Sequence, residues 1–150
     1  MIESYQDALE ELKRADHLLY VSLKYTRTAD VIMSVVKRLL ATYEFSVESL
    51  LKYYKKEGKI EEIPQNPIQR ANALKKIYAD QSEIIELLDL YILLRRISRA
   101  EYTGSYEFRK NVTMTATIAD DVYEIKMEHV AEFYEKTKTF IQLVRKTITA

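Results

Sequence analysis

Tyr91–Asn111 reads YILLRRISRAEYTGSYEFRKN, and the rest of the chain is placed around it. Ile84, Leu87, Leu88, Tyr91, Ile92 and Leu94 recur at helical spacing, and the run then passes into Arg95, Arg96 and Arg99. Tyr102 follows, then a break at Thr103-Gly104-Ser105, then Tyr106, Arg109 and Lys110. On a helix Arg95 and Arg99 stand one turn apart, as do Arg96 and Arg99, and Tyr102 extends the Arg95–Arg99 line. Guanidinium forks beside a phenol, next to a glycine that lets the backbone bend, suit a phosphate or a carboxylate. The same arginines also complement the C-terminal end of a helix dipole and snorkel into solvent, so both readings stand open.

Composition narrows the fold class. A chain of 150 residues fits one domain, 1–150, with enough apolar surface to form a core without staples. Two glycines and two prolines leave few turns, while Ala, Leu, Glu, Lys and Ile favour helices. The absence of cysteine rules out disulfides and thiolate chemistry. Lys and Arg number 23 and Asp and Glu 23, so any nucleic-acid contact has to come from a local patch rather than bulk charge. The charged opening MIESYQDALEELKR is no signal peptide, and no apolar run is long enough to span a bilayer. The expectation is a cytoplasmic protein with no membrane partner.

Upstream of the central stretch, Ala8, Leu12, Ala15, Leu19, Ser22 and Leu23 predict a first helix over about Ser4–Lys24. His17 lies off that stripe beside Lys13, Tyr20 and Lys24 and reads as a surface histidine. Thr26-Arg27-Thr28 supplies hydroxyl caps for a second helix that continues to about Glu57 on Ile32, Val35, Val36, Leu39, Leu40, Tyr43, Val47, Leu50, Leu51 and Tyr54. Tyr25 and Arg27 sit at the junction, as caps or as contributors to a site beside it. After Gly58, KIEEIPQNPIQ forms the longest loop, and Pro67 opens a third helix to about Ala79. The fourth helix starts at Ser82, acidic early and arginine-rich late.

Downstream, Thr113–Thr117 is a run of β-branched hydroxyl residues around Met114 and Ala116. With no partner strand visible it reads as the frayed start of a last helix over about Thr115–Thr147. Ile118, Val122, Ile125, His129, Phe133, Phe140, Val144 and Ile148 form its stripe. At ~1.5 Å per residue such a helix is ~45 Å long, enough to project or pair with a second subunit. Asp121, Glu124 and Glu128 would be one turn apart on it, but neither histidine stands in a Glu-x-x-His, so no metal and no cofactor is expected. The fold class is therefore all-α: an up-and-down bundle of four to five helices with a long C-terminal helix and no sheet.

The opening YQDALEELKRADHLLYVSLKY, the long second helix and LLRRISRAEYTGSYEFRKN resemble the uncharacterised prokaryotic branches of the HEPN superfamily. The resemblance covers most of the chain. It implies a helical homodimer that serves as a ribonuclease, a nucleotide-binding partner or one half of a two-protein (two-gene) system. In active members an Arg is followed a few residues later by a His; here Arg96 or Arg99 takes the Arg position and Tyr102 and Tyr106 stand where the His would be. An unperturbed phenol, with a pKa near ~10, is a poor acid–base catalyst at neutral pH. The preferred expectation is a binding or assembly module, for RNA or a nucleotide, with Arg95, Arg96, Arg99, Tyr102, Tyr106, Arg109 and Lys110 as its anion site. The alternative is a weak, metal-independent, toxin-like ribonuclease using Arg96, Arg99 and Tyr102.

Overall fold

The computed structural model describes all 150 residues, Met1–Ala150. Helix α1 spans Ile2–His17 and continues through a π-helical turn, Leu18–Ser22, into a last turn, Leu23–Tyr25. Helix α2 is Ala29–Lys56, α3 Pro67–Ile77 and α4 Ser82–Ser98. Three strands follow, β1 (Glu101–Ser105), β2 (Thr113–Ile118) and β3 (Asp121–Lys126), before helix α5, Met127–Ile148. No helix is long and apolar enough to cross a membrane.

The helices form where their ends can be satisfied and one face buried. Thr28 accepts the Val31 amide at 3.2 Å and so caps α2, as its position before Ala29-Asp30 implies. Asn66 Oδ1 accepts from the Ile68 amide at 2.8 Å with Pro67 in the first turn of α3, where a missing N–H costs nothing. The apolar stripe of α2 is fully buried at Ile32, Val35, Val36, Leu39, Tyr43, Val47, Leu50 and Leu51. This helix runs through the middle of the bundle, packed by α1, α4 and α5. At its centre Tyr43 stacks between Tyr91 of α4 (centroids 5.6 Å apart) and Phe140 of α5 (4.8 Å). The Tyr134 hydroxyl of α5 donates to Asp16 of α1 at 2.7 Å and closes the bundle on that side.

The expected absence of a sheet is overturned. β1, β2 and β3 form an antiparallel meander with β2 in the middle, Met114 opposite Gly104 and Ile125, and Ala116 opposite Tyr102 and Tyr123. That register puts Met114, Ala116 and Ile125 on the buried face, and Thr103, Thr115, Thr117 and Glu124 on the outer one. The break at Thr103-Gly104-Ser105 is therefore mid-strand. A Cβ on Gly104 would stand 3.0 Å from the Ala29 Cβ and collide with the Glu107 carboxylate, so glycine lets β1 lie against the start of α2.

The last helix shortens accordingly, from Thr115–Thr147 to Met127–Ile148, or ~33 Å. At that length the helix no longer has an excess that favours pairing with a second subunit. Val130, Tyr134, Thr137, Phe140, Ile141, Val144 and Ile148 make its buried face, while His129 and Phe133 are only half-buried. Asp121 and Glu124 fall on opposite faces of β3, so the row of carboxylates with Glu128 does not exist.

A two-residue turn, Ala119-Asp120, joins β2 to β3 with Ala119 at φ 55°. Left-handed backbone in this turn normally calls for Asn or Gly. Ala119→Gly is expected to raise stability by about 0.5–1 kcal/mol, read as a shifted urea midpoint. A decrease would mean that the alanine is not strained there.

Candidate nucleic-acid interface

The connection from β1 to β2 is short on regular structure but tightly tied. Tyr106 (φ 53°) and Phe108 (φ 64°) both adopt left-handed backbone, which bulky residues avoid unless the surroundings hold them there. Two things hold them. The Arg109 amide donates to Tyr106 O and the Val112 amide to Arg109 O, folding the loop on itself. The Phe108 amide donates to the Arg27 carbonyl at 2.7 Å, pinning the loop to the α1–α2 junction.

Pinned in this way, the loop presents aromatics to solvent. Phe108 is 71% exposed and Tyr106 58%, and Tyr25, two residues before Arg27, is 76% exposed. Apolar rings left this open at one junction have no role in the core. Cations line a cleft beside the pinned loop. This cleft of about 530 Å³ is lined by Arg27, Lys110, Asn111, Lys126, Met127 and Glu128. Three cations face one carboxylate there, and the first turn of α5 opens into the same space. The Arg27 Nε is shielded from solvent and has no hydrogen-bond partner. The amide of Lys126 is already satisfied by Nδ1 of His129 at 3.0 Å, so that histidine is a cap.

The sequence-predicted anion site is divided among four places. Lys110 lines the cleft, with Tyr106 and Arg109 in the loop that carries it. Arg95, half-buried in the last turn of α4, turns instead toward α2 and α3. There its charge and that of Arg70 bear on Tyr91 and Glu44, opposing the desolvation that raises both pKa values. Arg96 and Arg99 are exposed at the end of α4, and neither they nor Arg95 forms an ion pair.

Tyr102 is spoken for. Its hydroxyl donates to Asp30 in the first turn of α2, and that bond, with some burial, raises its pKa above the ordinary phenol value. A phenol that holds its proton more tightly is less available as a general base at neutral pH.

Arg27 was visible in the sequence as a junction residue, with capping and contribution to a nearby site both open. Phe108 carried one signal, a large apolar ring among Glu107, Arg109 and Lys110 with no stripe to join. Lys126 had none, because a continuous last helix would have put it mid-face. Compared with protein-family models, with curated proteins and with solved structures, the chain gives no match.

Proposed function

We propose that the protein binds single-stranded nucleic acid, RNA foremost, across Tyr25, Arg27, Tyr106, Phe108, Lys110 and Lys126. One observation carries the reading: Tyr106 and Phe108, exposed on left-handed backbone, sit in a loop pinned at the α1–α2 junction, where a cleft is lined by Arg27, Lys110 and Lys126. Single strands are bound by that combination, with bases stacking on aromatic faces and phosphates tracking the positive groove. The neutral chain provides no bulk attraction, so the patch has to supply all of it. Arg109 adds to its field, and Arg96 and Arg99 lie outside it. The likeness to the HEPN superfamily rests on the order of the helices and on the Arg-rich stretch with its Tyr and break, and the sheet is a departure from an all-helical pattern. Assembly is part of the same proposal: a homodimer, or a complex with the second protein of a two-gene system, would join two such surfaces.

Fluorescence anisotropy with a labelled oligouridylate tests it. Phe108→Ala is expected to weaken binding about tenfold to a hundredfold, the worth of one stacked base. The double variant Lys110→Ala, Lys126→Ala is expected to flatten the slope of log K against log salt by ~1.4. These side chains are exposed or at the cleft rim, so thermal stability should stay put. No binding by the unaltered protein at low salt, or undiminished binding by both variants, would sink the proposal.

A further inference from the structure

The seam between α1 and α2 carries a second basic site, an open surface groove that shares no residue with the cleft around Arg27. It has a volume of about 400 Å³ and is lined by Glu10, Lys13, Arg14, His17 and Leu18 of α1 and Arg38 of α2. Glu11, almost buried, organises it. Its Oε1 accepts from Arg14 Nη1 at 2.7 Å and its Oε2 from Arg38 Nη1 at 3.1 Å. Two guanidiniums that would repel each other are thereby fixed side by side on different helices. Each spends one nitrogen on Glu11 and keeps the rest of its fork. Lys13 and His17 have no ion-pair or hydrogen-bond partner in the protein.

The backbone is unusual at the same place. The π-helical turn begins at Leu18, one of the lining residues, and the Leu23 amide reaches back to Leu18 O. Such turns are rare, and those inside α-helices frequently mark functional sites. Here the turn starts immediately after His17.

We propose that this groove binds a phosphate group, with Arg14, Arg38, Lys13 and His17 as its donors. Guanidinium forks arriving from two helices suit a tetrahedral oxyanion with several acceptor oxygens, and a lysine adds a mobile point charge. Three permanent cations, Lys13, Arg14 and Arg38, outnumber Glu10 and Glu11. The volume exceeds that of phosphate alone and leaves room for the group it is esterified to. That group is either a small molecule with a terminal phosphate or the diester backbone of RNA.

The chain has two histidines, so proton NMR can follow His17 with His129 as an internal reference. Inorganic phosphate, uridine monophosphate and uridylyl-uridine are each titrated against chloride at matched ionic strength and pH. Inorganic phosphate is expected to shift the His17 signal saturably while His129 stays still. Saturation by the monophosphate alone assigns a terminal phosphate; saturation by the dinucleotide as well assigns the backbone. Arg38→Gln, which keeps a donor for Glu11, is expected to weaken binding about tenfold. Lys13→Ala touches no internal contact and is expected to weaken it severalfold, which keeps the test open if the Arg38 variant misfolds. A His17 response to phosphate no different from that to chloride overturns the proposal. So does binding that survives both substitutions. Phe108→Ala should leave this titration unchanged, so the two sites fail or stand separately.

Discussion

Raising the pH from about 9 to about 11 is expected to remove about 5 kcal/mol of stability and unfold the bundle in one cooperative step. Burial holds the Tyr43, Tyr54 and Tyr134 hydroxyls well above the ordinary phenol range and pushes Tyr91 up to about 12. In the unfolded chain all four would release their protons near 10. Above that pH the unfolded state binds fewer protons than the native state, so stability falls as pH rises. The loss continues until the native hydroxyls ionise in turn. Each group contributes about 1.4 kcal/mol per pH unit in that window, and four together rival the ~5–15 kcal/mol that holds an ordinary domain folded. The share of phenolate absorbance that belongs to these four tyrosines should appear together with the loss of far-ultraviolet circular dichroism, recorded on the same samples. Ionisation of these four tyrosines near pH ~10 with the helices intact would show that they are not sealed in the core.

Phe140→Ala is expected to cost about 3–5 kcal/mol, seen as a large drop in the urea midpoint with little change in slope. Phe140 is fully buried and stacks on Tyr43, which stacks on Tyr91, so one ring joins α5 to α2 and α4. Truncation leaves a cavity between three helices whose backbones are fixed by other contacts, and collapse into it is limited. Tyr43→Phe is the matched comparison. The Tyr43 hydroxyl is buried without a partner, and Thr137 beside it has committed its own proton to Phe133 O at 2.8 Å. Removing that hydroxyl is expected to be neutral or to stabilise by about 1 kcal/mol. A loss below about 1 kcal/mol for Phe140→Ala would mean that the stack is loosely packed.

Of the candidate site, Tyr106, Arg109 and Lys110 were legible as an exposed basic and aromatic stretch, and they remain together on the loop. Arg95 could not be separated from Arg96 and Arg99, because one turn of helix fixes their spacing but not which of them meets α2. Tyr102 looked available only because Asp30, seventy-two positions away, is invisible to any local pattern. His17 is exposed, as a surface histidine should be, but its neighbour Arg38 could not be read locally, because it belongs to the next helix.

Helices α1 to α4 were determined by the sequence itself, since their apolar period, the Thr28 and Asn66 caps and the proline at 67 all act within a few residues. The sheet was decided by tertiary structure. Ile118, Val122, Ile125 and His129 happen to keep helical spacing, and the turn between β2 and β3 uses Ala119-Asp120 where Asn-Gly would have signalled a hairpin. What selects strand over helix there is pairing across β1, β2 and β3 and burial of Met114, Ala116 and Ile125 against the bundle. Those contacts join residues far apart in the chain, and their free energy exists only once the helices have assembled.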